Sequence, residues 1–203
     1  CLADKAEWGM KNPTLAGDGF GGLLCVYEAF GYGAKQRDVY LTRVSRNGQV
    51  AYNKAVCDDK GDQANPKMEL RGPDVVVFWE DWRNGNPDIY VQRMDISNGS
   101  RFWGRMGTAI CSQESVQREP ALSSSSMYGD AIVAWIDERY GNDDLFVQKV
   151  DRYGQIVWQE GGVPVCTTRT HQRAPATVPD GSGGCWFVWT EDVGGTQTRL
   201  HYQ

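Results

Sequence analysis

The chain has 203 residues, 40% hydrophobic and 23% charged, and its 21 Lys and Arg against 26 Asp and Glu give a net charge of −5. This composition excludes a disordered or collagen-like chain and leaves no basic face for a nucleic-acid backbone. Apolar runs such as Val75 to Trp79 are far short of the roughly 20 residues that a membrane-crossing helix needs.

Taken from its N-terminus, the chain repeats itself. Cys stands at 1, 57, 111 and 166, separated by 56, 54 and 55 residues, and a Pro follows each, at 13, 66, 120 and 175. An apolar run then ends on Tyr27, Trp79, Trp135 and Trp189. An acidic-aliphatic-aromatic step comes next, at Asp38-Val39-Tyr40, Asp88-Ile89-Tyr90 and Asp144-Leu145-Phe146, degraded to Arg199-Leu200-His201 in the last unit. A Gly turn follows at Gly48, Gly99 and Gly154, and four residues beyond each stands an aromatic: Tyr52, Trp103 and Trp158. The units are residues 1–56, 57–110, 111–165 and an incomplete 166–203 of one domain. Six landmarks recurring in one order leave little room for chance.

Each unit predicts four short strands. Strand a carries the Pro. A Gly-rich hairpin such as Asp18-Gly19-Phe20-Gly21-Gly22 leads to strand b, which is apolar at successive positions and is therefore expected to be covered on both faces. Strand c holds the aromatic step, and strand d runs from the Gly turn to the Cys. No segment shows helical periodicity. Repeated four-stranded antiparallel units buried on both sides predict an all-β fold, a β-propeller of about four blades. A β-sandwich is the alternative, but its strands would alternate and need no 55-residue period. Dividing the length by the period gives about 3.7 units, which predicts a segment of a larger propeller with hydrophobic open ends. Cys1 could be the acylated first residue of a lipoprotein, but its fit to the repeat favours a cut through a longer chain.

Two units share the form W-x-D-x-R-x-G-N-x-D-[IL]-[YF], from Trp79 to Tyr90 and from Trp135 to Phe146. This resembles the repeat of TolB-like bacterial propellers, and more closely the W-x-D-x-R repeats of large extracytoplasmic bacterial surface proteins. The first and last units depart from it, with Ala29 and Glu191 in the first Asp slot. The resemblance implies an extracytoplasmic scaffold or binding role and no particular activity.

Strand alternation sends the b–c and d–a loops to one face. Any ligand is expected there, with Asp81, Arg83, Asp88, Asp137, Arg139 and Asp144 as candidate binding residues. Their repetition favours a structural role instead, in which Asp and Arg tie the loop together. Calcium has weaker support: Asn142-Asp143-Asp144 offers oxygen ligands without an EF-hand pattern. Gln63, Gln117 and Gln172, three residues before each Pro, are expected to bond backbone of the neighbouring blade; Met10 takes that slot in the first unit. The repeated cysteines are expected to be buried free thiols, because equivalent points on stacked sheets lie about 10 Å apart. No zinc spacing, no nucleophile motif and no sialidase-type box is present; the two His are 171 and 201. Asn98-Gly99-Ser100 has the form of a glycosylation sequon but reads as a turn.

These observations point first to a non-enzymatic extracytoplasmic module that binds protein or the remaining blades, with no cofactor. The first alternative is a carbohydrate-binding or glycan-processing propeller that uses Trp8, Tyr32, Trp82 and Tyr140. The second is a calcium-stabilised adhesin module.

Overall fold

The computed structural model describes residues 9–30, 36–125, 130–194 and 197–203. Fifteen strands form four antiparallel sheets, each in sequence order. The first holds β1 (Met10–Gly17), β2 (Leu23–Phe30), β3 (Arg37–Val44) and β4 (Val50–Cys57). The second holds β5 (Gln63–Arg71), β6 (Asp74–Asp81), β7 (Asp88–Asp95) and β8 (Thr108–Cys111). The third holds β9 (Gln117–Ser125), β10 (Asp130–Asp137), β11 (Asp144–Val150) and β12 (Val163–Cys166). The fourth has three strands: β13 (His171–Pro179), β14 (Cys185–Asp192) and β15 (Thr198–Tyr202). Four small sheets and no helix among the described residues make this an all-β propeller fold; the two-sheet sandwich does not describe it.

The chain falls into two compact units, residues 1–85 with 91–107, and residues 86–90 with 108–203. In the first, β5 packs on β1, β2 and β3; in the second, β13 packs on β9, β10 and β11. In each unit a strand a thus covers the sheet before it. That packing explains the unbroken apolar runs: every residue of β6 is buried, as are Ala131 to Asp137 of β10. In the second unit, Ala134, Ile136, Leu145 and Val147 of the third sheet close against Trp189 and Phe187 of the fourth. On the fourth sheet Trp186, Leu200 and Tyr202 are exposed.

The repeated Pro marks a bulge. In all four sheets the register of strand a breaks between Lys11 and Thr14, Ala64 and Lys67, Arg118 and Ala121, and Arg173 and Ala176. The residue before each Pro takes positive φ: 48° at Asn12, 52° at Asn65, 54° at Glu119 and 50° at Ala174. An L-residue pays roughly 1–2 kcal/mol in that region, least for Asn. Pro cannot donate to the ladder, so the bulge is where it fits. Two of the four sites relieve the strain with Asn, and Ala174 does not. Ala174→Gly is therefore expected to raise stability by about 1 kcal/mol, read as a higher urea midpoint at unchanged m-value. An unchanged or lower midpoint contradicts a strained left-handed residue there.

Candidate functional site

The loop between strands b and c is built from its own sequence motif. In the second repeat the Trp79 indole N–H donates to Asp81 Oδ2 (2.8 Å), and Arg83 donates to both Asp81 oxygens, Nε at 2.8 Å and the terminal nitrogen at 2.6 Å. The same nitrogen reaches Cys57 Sγ at 3.2 Å and the Met106 carbonyl at 3.2 Å. The third repeat keeps these bonds except the one from the arginine Nε, which in Arg139 is without a partner among the described residues. Trp135 donates to Asp137 at 3.0 Å, and Arg139 donates to Asp137 at 2.5 Å, to Cys111 Sγ at 3.2 Å and to the Gly161 carbonyl at 2.8 Å. The Arg139 guanidinium also lies 4.0 Å from the centre of the Phe146 ring. A Cβ on Gly107 or Gly162 would stand 2.8 or 2.3 Å from the Trp79 or Trp135 ring, and both take positive φ, so Gly is required at these contacts. Burial pushes the Asp137 carboxyl up, but the hydrogen bonds from Arg139 and Trp135 outweigh it and hold it below the usual carboxylate range. Burial first, and then the nearby Asp carboxylates, lift the thiols, Cys57 to about 11 and Cys111 to about 12, so both are inert at neutral pH.

The remaining motif residues face the next d–a loop. Asn86 Nδ2 donates to the Gln113 and Ser115 carbonyls at 2.9 and 2.7 Å; Asn142 Nδ2 does the same to Thr168 and Thr170 at 2.9 and 3.1 Å. Each also bonds the second motif Asp, Asn86 to Asp88 and Asn142 to Asp144. Both acids are buried, and burial pushes the Asp144 carboxyl up. In the first repeat Gln36 takes the Asn role, donating to the Asp59 carbonyl at 2.5 Å. The repeated Gln side chains are fully buried, but they bond their own d–a loop and not the backbone of a neighbouring blade. Gln63 donates to Gly61, Gln117 to Ser115 and Gln172 to Thr170, at 2.8, 2.6 and 2.9 Å. The loop turns so tightly before strand a that its carbonyls point inward and need these donors.

Asp81, Arg83 and Asp88 thus stand in one b–c loop and Asp137, Arg139 and Asp144 in its equivalent, each bonded within its own surroundings. Of Asn142, Asp143 and Asp144, the first and last bond each other, whereas Asp143 turns to Arg118, His171 and Arg173. Among the described residues no group of three or more His, Cys, Asp and Glu could hold a metal ion. Of the expected sugar-stacking aromatics, Trp8 and Tyr32 lie outside the described residues, Trp82 is half-buried and Tyr140 is exposed against Phe146.

Where the last repeat departs from the motif, chemistry changes. Glu191, in the Asp slot, accepts from Thr170, from Thr168 at 3.2 Å and from His201 at 2.8 Å. The Thr170 bond leads in holding its carboxyl below the usual value. Trp189 stacks on His201 at 5.5 Å, and its indole N–H is left without a partner.

A more open polar cluster lies at the entrance of strand a in the second unit. Asp143, almost fully buried, accepts from Arg118 at 2.5 Å and pairs with His171 at 3.1 Å and Arg173 at 3.4 Å. Arg118 also bonds Glu138 at 2.5 Å and lies 4.0 Å from Glu119. Glu119 accepts from the Ala174 backbone N–H at 2.9 Å, and Arg173 reaches Asp192 at 3.3 Å. Three carboxylates here, Glu119, Glu138 and Asp192, each keep about 41% of their side chains in solvent. The first unit carries a counterpart of different chemistry. There Asn12 bonds Glu28, Asn65 bonds Glu80 at 2.8 Å, and Arg37 bridges Glu28 and Asp62 at 2.7 and 3.1 Å. Counted along the repeats, Arg37 and Asp143 are equivalent, as are Asp62 and His171, so one ion pair is inverted. Sequence reasoning placed Asp62, His171 and Arg173 on the loop-rich face and offered Asp143 as an oxygen ligand, but it did not bring them together, because these positions differ from repeat to repeat. The one signal available was their place beside each recurring Pro and Gln.

No known family profile and no curated protein sequence matches the chain. Solved structures do match. A thermostable family-43 glycoside hydrolase aligns with a TM-score of 0.54 at 13% identity, over 98% of this chain and 74% of that one. An endo-arabinase from Bacteroides thetaiotaomicron gives 0.54 at 12% identity, over 94% and 73%. A β-1,2-mannobiose phosphorylase from Listeria innocua gives 0.57 at 9% identity, over 96% and 72%. At these identities the likeness shows the propeller fold, and it does not single out the TolB-like repeat. It corrects two expectations, the non-enzymatic protein-binding module and the absence of an enzyme, because the structures that share this fold are carbohydrate-active enzymes. Missing motifs misled the expectation, since a propeller site gathers single residues from several sheets and needs no contiguous signature.

Asp137→Ala would leave a buried guanidinium and a buried indole N–H without their carboxylate. The expected loss is about 3–5 kcal/mol, with Arg139→Ala similar and the double variant well short of the sum in urea unfolding. Because the folded carboxyl sits below its ordinary 3.8, its stabilisation is complete above that pH and disappears as pH falls through the folded value. The wild type should lose stability in that acid range, and Asp137→Ala should lose less. Equal acid slopes, or additive losses, contradict the linked clasp.

Proposed function

We propose that the chain is a glycan-processing β-propeller that acts on a polysaccharide at the Arg118–Asp143–His171 cluster, outside the cytoplasm. The observation that carries the reading is a partly exposed group of carboxylates and cations, on a fold shared with glycoside hydrolases, where every W-x-D-x-R charge is already engaged in the loop. Hydrolysis of a glycosidic bond takes two carboxyl groups: one protonates the leaving oxygen while the other activates water or attacks the sugar carbon. Glu119 and Glu138, on either side of Arg118, are the assigned pair. Arg118, His171 and Arg173 hold sugar hydroxyls, and buried Asp143 fixes the three in place. The six motif charges act as scaffold for this surface.

Reducing-end release from arabinan, arabinoxylan and β-mannan tests the reading. Glu119→Gln and Glu138→Gln are each expected to lower kcat by about 100-fold or more without shifting the melting temperature. No release from any of the three by the wild type, or full turnover by both variants, overturns it.

A further inference from the structure

The aromatic that recurs four residues beyond each Gly turn has no part in the cluster above. Its three occurrences differ. Tyr52 is buried and donates to the Ile96 carbonyl at 3.0 Å, whereas Trp158 is 36% exposed. The backbone holding Trp158 is fixed from below by Gln148, itself fully buried. Gln148 accepts from the Trp158 N–H at 3.1 Å and donates to the Gln159 carbonyl at 2.7 Å. Gln92 grips Trp103 and Gly104 in the same way, at 3.0 and 2.8 Å. A side chain kept in solvent on so rigid a mount is preorganised for something.

Trp158 forms one wall of a cavity of about 470 Å³, opposite β8 and the residues after it, Ser112 and Gln113. Glu160 and Gly161 close the near end. Thr108 Oγ1 bonds the Gly154 carbonyl at 3.1 Å and ties the two walls together. The Gln113 amide lies over Gly161, where a Cβ would stand 3.2 Å from its nitrogen. None of the residues that line the cavity belongs to the Arg118 cluster. On the other side of the same Trp158 lies an apolar hollow lined by Val147, Val163, Pro164, Val165 and Phe187.

The chemistry of the walls narrows the ligand. The Trp158 indole N–H, the Glu160 carboxylate, the Gln113 amide and the Ser112 hydroxyl have no hydrogen-bond or ion-pair partner among the described residues, whereas the motif polar groups are engaged in the fold. A flat ring beside one carboxylate, one amide and one hydroxyl offers a stacking face and converging donors and acceptors. The equivalent cavity one repeat earlier shows the contrast. It is lined by Lys54, Arg101 and Arg105, with Asp58 pairing both arginines, and has no aromatic wall. The charge reversal from Arg105 to Glu160 makes the later cavity unsuited to an anionic sugar.

We infer that the Trp158 groove is an auxiliary binding subsite for a neutral sugar unit of a polysaccharide, stacked on the indole and hydrogen-bonded by Glu160 and Gln113. It rests on the glycan-processing reading and adds a second point of attachment, formed by residues outside the cluster. Two linked contacts raise the effective affinity for a long chain without new catalytic groups.

Affinity gel electrophoresis in arabinan, arabinoxylan and β-mannan tests it, with turnover of short oligosaccharides measured alongside. Wild type should be retarded in at least one gel. Trp158→Ala should lose about tenfold or more in affinity there, Glu160→Ala should lose part, and Trp158→Phe should keep most of the binding. Oligosaccharide turnover should be the same in all four proteins. Retardation of Trp158→Ala and Glu160→Ala equal to wild type overturns the subsite while leaving the catalytic reading intact. A wild type that cleaves oligosaccharides but is not retarded also overturns the subsite alone. A wild type that neither binds nor cleaves overturns both.

Discussion

The clasp of Trp, Asp, Arg and Cys is the interaction on which the rest of the structure depends. A sheet buried on both faces has few places where polar groups can hold it in register, and the b–c loop is one of them. One carboxylate accepts from an indole and a guanidinium at once, and the guanidinium has donors left for a backbone carbonyl and a thiol on the preceding strand d. Lys could not replace Arg, because its compact ammonium lacks the planar fork that matches both Asp oxygens. The Asn two residues before the second Asp extends the same loop forward onto the next d–a carbonyls. A ten-residue motif therefore fixes two loops that are remote from it in sequence.

What was legible in the sequence is what repeats. Strand b, the Pro of strand a and the W-x-D-x-R charges all recur at fixed offsets, and each takes part in packing or in hydrogen bonds that close a loop. The polar cluster was not legible, because its members occupy slots that change chemistry. Arg37, Pro87 and Asp143 stand in one equivalent position, and Asp62, Val116 and His171 in another. Only the folded chain shows that the first and last of each set face one another as ion pairs of opposite sense. Periodicity reveals the scaffold and conceals the positions released from it.

The same logic governs the departures from the motif. Glu191 is one methylene longer than the Asp it replaces, overshoots the indole of Trp189 and binds Thr170 and His201 instead. Trp158 stays in solvent while Tyr52 is buried, although both stand at the same offset and Gln148 holds the later backbone firmly. In each case a repeated backbone presents a side chain that the scaffold does not need. The proposed Trp158 subsite is built on such a position, on a short loop whose backbone Gln148 holds.

Indole hydrogen exchange separates the engaged groups from the free ones in a single experiment. The Nε1 protons of Trp79 and Trp135, each held by a buried carboxylate, should exchange at least 100-fold more slowly than that of Trp158, which should exchange near the rate of an exposed indole. Comparable exchange at all three positions would contradict the division of this chain into committed scaffold charges and an open, uncommitted groove.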